Sequence, residues 1–304
     1  MIARGNFGPK MNPIDEPVRR AAEAVAAAEA LVICAGAGMG VDSGLPDFRS
    51  DEGFWQAYPP AAKLGLSFAE LANPGWFDRD PALAWGFYGH RLELYRTTAP
   101  HAGFAILRQW ADRMPRGWFV FTSNVDGQFQ KAGFAEEGMV ECHGSLQHQQ
   151  CVKPCCAATW PAPEGARIAV DPATLRTPDE LPRCPVCGGL ARPNVLMFGD
   201  GAWNPGRTAA QQIKFRLWLR RLARGKLLVI EAGAGIAIPT VRQTAEQLAE
   251  AAGTPLVRIN PHEAHGPPGT ISLAEGARTA LEKVDEQLRR LSPAPWPDVR
   301  RWSG

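Results

Sequence analysis

The chain has 304 residues, 45% hydrophobic and 21% charged, with a net charge of +2. That length allows one large or two modest domains with a real core, and the near-neutral balance gives no electrostatic case for specific nucleic-acid binding or for an anionic membrane. No apolar run approaches the roughly 20 residues a membrane span needs, and residues 1–17 hold no apolar secretory stretch, so a cytoplasmic setting is expected. Residues 1–14 read as a loose tail and 15–30 as a helix with Pro17 in its first turn. The run 30–34 reads as a buried strand. It opens into Gly36-Ala37-Gly38, where missing Cβ atoms let backbone N–H groups approach a pyrophosphate. The continuation Ser43-Gly44-Leu45-Pro46-Asp47-Phe48-Arg49 departs from the usual dinucleotide fingerprint, and no acidic residue stands clearly about 20 residues on.

Residues 50–99, rich in Trp, Pro and Gly, read as helical and loop material inserted after that first loop. Within them, Tyr88 and Arg91 stand three apart and share a face if the segment is helical. Further buried strands are expected at 118–121, 227–231 and 255–259, with a helix at 241–252. The loops at the strand ends carry Thr122-Ser123-Asn124, Gly233-Ala234-Gly235 and Asn260. Strands alternating with helices predict an α/β fold, a Rossmann-like parallel sheet with helices on both faces and a ligand beyond the carboxyl ends of the strands.

Seven cysteines in a chain of this size point to metal or buried thiols more than to a disulfide framework. Cys151, Cys155 and Cys156 precede Cys184-Pro185-Val186-Cys187-Gly188-Gly189. Four thiolates suit a closed, structural zinc site. Cys151 pairs with Cys155 at one spacing or with Cys156 at the next. The set Cys151, Cys155, Cys184 and Cys187 is preferred, with Cys156 as the alternative. A metal-free loop of buried thiols is the competing reading. The segment is too small to bury a core alone, so losing zinc is expected to unfold it.

Gly36, Ala37, Gly38, Ser43, Gly44, Pro46, Asp47, Phe48 and Arg49 resemble the opening signature of the sirtuins, the Sir2 family of NAD-dependent protein deacylases. Four later segments resemble that family in the same order. They are Thr122-Ser123-Asn124-Val125-Asp126, His143-Gly144, Arg192-Pro193-Asn194-Val195-Leu196-Met197-Phe198-Gly199-Asp200 and Ile259-Asn260. The zinc module occupies the family's place in the chain. The chain departs from the pattern at Ala35, Gly40, Ser123 and Ala234-Gly235, where hydroxyl or amide side chains are usual.

The resemblance implies NAD and zinc as cofactors and acyl-lysine proteins as substrates, with nicotinamide and an O-acyl-ADP-ribose released. It implies His143 as general base, an imidazole able to take a ribose hydroxyl proton at working pH. Asn124 and Asp126 would hold the nicotinamide end. Gly36, Ala37, Gly38, Asp47, Phe48, Arg49, Ser123, Gly233, Ala234 and Asn260 would line the rest of the cofactor. Val195, Phe198 and Gly199 would pair with an extended peptide by strand addition. Sirtuins that remove succinyl groups carry Tyr-x-x-Arg where this chain has Tyr88 and Arg91, so desuccinylation joins deacetylation as an expectation; an ordinary helix surface is the plain alternative for that pair. His148 fits no motif and reads as a surface or packing residue. The implied organisation is a discontinuous NAD-binding domain (15–50, 100–145 and 190–290), a helical insertion (51–99) and a zinc module (146–189). ADP-ribosyl transfer or plain NAD cleavage on the same scaffold is one rival function, and a non-catalytic NAD-sensing module is another.

Overall fold

The structure, a computed structural model, describes residues 15–46, 51–165, 167–222 and 226–291. Among them are nine strands: β1 (Ala30–Ala35), β2 (Trp118–Thr122), β3 (Met139–Glu141), β4 (Gly144–Cys151), β5 (Thr159–Pro161), β6 (Ala191–Val195), β7 (Leu227–Ala232), β8 (Leu256–Ile259) and β9 (Ile271–Leu273). Six form a sheet in the order β3-β2-β1-β7-β8-β9, and every neighbouring pair is parallel. β1 is buried along its whole length, as a central strand covered on both faces must be. Leu31 and Ile33 face one layer of helices, Asp15–Ala27, Ala102–Asp112 and Ala277–Leu291, in one apolar cluster. Val32 and Cys34 face the other layer, where Phe215, Val241 and Ala245 come from the helices Gly206–Leu219 and Thr240–Ala252.

The first helix stops at Ala27, short of the expected residue 30, because Glu29 and Ala30 already donate to the Lys226 carbonyl at the foot of β7. The sheet runs outward in both directions from its centre, β1 to β3 on one side and β7 to β9 on the other. The strand order therefore reverses between β1 and β7, the position where open α/β sheets leave a ligand crevice.

The inserted residues 51–97 are helical. Their longest helix, Pro81–Thr97, starts with Pro81 and an Asp80 cap whose carboxylate accepts from Leu83 N at 3.0 Å. It is apolar around much of its circumference, and Trp85, Phe87 and Tyr88 are buried in a second core with Phe54, Tyr58 and Phe77. β5, β4 and β6 make a separate antiparallel sheet, with Gly144 opposite Val195 at one end and Cys151 opposite Ala191 at the other. Among the described residues no helix is long and apolar enough to cross a membrane.

Candidate active site and metal centre

The loops after β1, β2, β7 and β8 meet at the crevice. Thr122 Oγ1 donates to Ala35 O at 2.9 Å and accepts from Asn124 N at 3.0 Å. That fixes the turn carrying Ser123 and Asn124, and the Asn124 carboxamide then donates to Gly36 O at 3.0 Å. Asn260 is fully buried and donates to Ala234 O at 3.0 Å, while its Oδ1 accepts from the N–H groups of His262 and Glu263. In this structure Asn260 therefore holds the Ala234 loop in place.

The glycines of the first loop also have a task within the fold. Gly36 N donates to Ala232 O and Gly38 N to Gly233 O, both at 3.0 Å. A Cβ on Gly36 would lie 2.6 Å from Ala234 Cα, and one on Gly233, itself at φ +67°, would lie 2.2 Å from Met39 N. The two loops interlock through backbone, and the missing side chains permit that close approach. Ala37 sits between the two glycines as the residue preceding a short helical turn, Gly38–Val41. Asp47, Phe48 and Arg49 lie outside the described residues.

His143 leaves the end of β3 and precedes β4, half-buried. Its carbonyl accepts from Leu196 N at 3.0 Å. Burial holds its imidazole below the ordinary histidine value. Asp126 is buried; its Oδ1 accepts from Gln128 N at 2.9 Å, and burial pushes its carboxyl up to about 6. His148 belongs to β4 and is half-buried, where burial first, then the Arg207 charge, depresses it to about 4.

A cavity of about 310 Å³ brings together several residues expected to meet the substrate. His143, Ser123, Val125 and Ile238 line it together with Tyr88, Arg91, Phe68 and Ala72, and Val195 to Phe198 complete the wall. The Tyr88 hydroxyl is buried without a hydrogen-bond partner among the described residues. Arg91 is 6% exposed, its guanidinium bonded to the Tyr95 hydroxyl. A solvated helix face, the plain alternative for this pair, does not describe residues so deeply enclosed. Gly199 follows the cavity wall at φ +69°. The N–H groups of Leu196 and Phe198 donate to His143 O and Ala72 O, each at 3.0 Å. Behind this segment the buried Arg192 and Asp200 form an ion pair, and Arg192 Nη2 also donates to Val195 O at 2.9 Å.

At the far end of β4, the sulfurs of Cys151, Cys155, Cys184 and Cys187 all lie within 4.8 Å of one another. Cys151 and Cys187 are 3.7 Å apart, and Cys155 and Cys184 3.6 Å. Metal–sulfur bonds of about 2.3 Å in a tetrahedron place sulfurs about 3.8 Å apart, so this donor set fits zinc. Cys156 Sγ lies 3.7 Å from Cys155 Sγ. Gly189 N points at Cys187 Sγ, 3.4 Å away, as in a metal-binding knuckle.

A model described as the Sir2 family matches residues 36–215. The "NAD-dependent protein deacylase 2" of Pyrobaculum aerophilum is 31% identical across 88% of this chain and 95% of its own length. The chain belongs to the Sir2 family. A Thermus thermophilus relative, an "NAD-dependent protein deacylase", is 30% identical and covers 94% of this Sir2 chain and 96% of its own. The crystal structure of a Sir2 homolog–NAD complex aligns over 95% of this chain and 98% of its own, with a TM-score of 0.67 and 25% identity.

The residues fit the cofactor that the Sir2 fold implies. Ser123, Asn124 and Asp126 stand in the one loop after β2 with a hydroxyl, a carboxamide and a carboxylate, donor and acceptor types that suit an amide and ribose hydroxyls. Sequence reasoning gave no role of its own to Thr122, which shapes that loop, and passed over Tyr95, which contacts Arg91. Tyr95 stands four residues beyond Arg91 and seven beyond Tyr88, so helical spacing was the available signal.

Proposed function

We propose that this chain is an NAD-dependent protein-lysine deacylase whose favoured acyl group ends in a carboxylate. The observation carrying this reading is that His143, neutral through burial, lines the same cavity as the orphaned Tyr88 hydroxyl and the Arg91 guanidinium. NAD, when bound, supplies the glycosidic bond whose cleavage frees nicotinamide and leaves ADP-ribose to take the acyl group. Asn124 and Asp126 orient the nicotinamide end. The neutral His143 ring accepts a proton from a ribose hydroxyl. Phe68, Val125, Val195 and Met197 keep water from the acyl chain. Tyr88 and Arg91 meet the acyl carboxylate, a pairing in which a planar cation offers a fork of donors. The N–H groups of Leu196 and Phe198 are bonded within the chain, so a peptide lying along this edge would supply the donors itself.

Zinc held by Cys151, Cys155, Cys184 and Cys187 serves the fold and takes no part in the chemistry, because four protein sulfurs complete a tetrahedral shell. In this reading, residues 15–50, 100–145 and 190–290 form the NAD-binding body, 51–99 cover the acyl cavity, and 146–189 form the zinc module. The test is nicotinamide release from NAD with and without acetyl- and succinyl-lysine peptides, for the wild type and His143→Ala. Peptide-dependent release lost in His143→Ala is expected. Release without peptide would replace this reading with NAD cleavage or ADP-ribosyl transfer, and no release under any condition would replace it with an NAD-sensing role.

A further inference from the structure

All three tyrosines of the chain, Tyr58, Tyr88 and Tyr95, gather in one apolar cluster around the cavity's buried cation. Tyr88, Arg91 and Tyr95 come from the helix Pro81–Thr97, and spacings of three and four put them on one stripe of it. The Arg91 guanidinium lies 5.3 to 5.9 Å from the ring centroids of Phe87, Tyr95, Phe68 and Tyr88. Inside that cage the Tyr95 oxygen accepts two hydrogen bonds from the guanidinium, from Nε at 3.1 Å and from Nη2 at 2.7 Å. Two bonds on one edge of a planar fork fix its rotation as well as its position.

The chemical character of the anchor matters. Burial pushes the Tyr95 phenol above its ordinary value, so it is neutral at any working pH. A carboxylate in that place would orient Arg91 and also cancel its charge. A phenol orients the cation without cancelling its charge. Two bonds to a charged donor in an enclosed site are also stronger than the same bonds in water.

Resting on the acyl-carboxylate reading given above, we infer that Tyr95 is a positioning residue for acyl specificity. Its hydroxyl sets the Arg91 fork in the plane that recognises the terminal carboxylate of a dicarboxylic acyl group such as succinyl, and it has no part in handling acetyl-lysine.

Steady-state nicotinamide release by the full-length, zinc-loaded protein tests this with acetyl- and succinyl-lysine peptides of one sequence. The variants are Tyr95→Phe, Arg91→Met and the double substitution. Tyr95→Phe keeps the ring and removes one oxygen. Losing the bonds to a charged group should raise the succinyl KM about tenfold, with the acetyl KM and both kcat values nearly unchanged. In the Arg91→Met background Tyr95→Phe should add nothing, because its effect passes through Arg91. An equal loss on both peptides would mean a structural role and overturn the inference. An unchanged succinyl KM in Tyr95→Phe, with succinyl preference lost in Arg91→Met, would overturn the inference and leave the acyl-carboxylate reading intact. No effect of Arg91→Met on acyl preference would remove both. Should Tyr95→Phe fail to fold, Arg91→Lys keeps the charge and gives up the fork that Tyr95 orients. Its succinyl KM should then rise by a similar factor, and an unchanged value would overturn the inference.

Discussion

Asp126 keeps its carboxylate in a buried place that disfavours charge. Its carboxyl is pushed up to about 6 by burial, against an ordinary value of 3.8. The folded chain therefore holds that proton more tightly than the unfolded chain. The associated stability is present below the unfolded value and is lost as pH rises through about 6. Asp126→Asn keeps an acceptor for Gln128 N and removes the charge. At about 1.4 kcal/mol per pKa unit, it should raise Tm by roughly 2–5 °C at pH 8 and much less at pH 4, as differential scanning calorimetry would show. Activity should move in the opposite direction, since a carboxylate at the nicotinamide end is what the proposed chemistry uses. Both Asp126 and His143 act in their deprotonated forms. Peptide-dependent nicotinamide release should thus fall as pH drops through about 6, with His143, depressed by burial, titrating below its ordinary 6.5. A limb rising toward acid would contradict these assignments.

At the scale of elements, β6 and the segment after it hang on one ion pair. Arg192 and Asp200 have side chains only 1% and 0% exposed, and Asp200 also accepts from Met197 N at 3.2 Å and Ala202 N at 3.1 Å. Asp200→Asn leaves a buried guanidinium without its counter-charge, a change that costs about 3–5 kcal/mol. Urea unfolding should show a loss of that order, and the peptide KM should rise because Val195 to Phe198 shape the cavity. The elements also differ in how far the sequence announces them. β1 and β2 are apolar runs up to Thr122, and β7 and β8 are interrupted only by the buried pair Glu231 and Arg258, because the sheet is covered on both faces, and that pattern survives without any structure in hand. β3 and β9 have three residues each, too few for a period to register. β4 reads GSLQHQQC, a polar strand with a register irregularity between Ser145 and Gln149, so neither alternation nor apolar content marks it. The site divides in the same way. His143, Asn124 and Asp126 stand in short motifs tied to chemistry. The interlock of Gly36 with Gly233, and the hold of Tyr95 on Arg91, are contacts between distant or merely helically spaced residues, and they become visible only once the chain is folded.

At the scale of the molecule, two sheets share one chain path. β4 starts beside His143 and ends at Cys151, and β6 starts shortly after Cys187 and ends at Val195 in the cavity wall. Removing zinc should unfold residues 152–190 while the six-stranded sheet, with its own core, persists. Limited proteolysis of chelator-treated protein should cut within that segment, and far-ultraviolet circular dichroism should retain most of the helical signal.

The β4–β6 pairing has a consequence for a population of molecules. Gly144 at φ +80° packs so closely against β6 that a Cβ there would lie 2.0 Å from Asn194 O. The strand that begins beside His143 and the strand walling the cavity therefore keep their spacing together or lose it together. When zinc is scarce, each molecule should be either competent or idle, with no sluggish form between. Titrating zinc into stripped protein should raise the maximal rate in proportion to the occupied fraction while KM for peptide and NAD stays constant. The output of such a population would then report how much zinc its surroundings can spare.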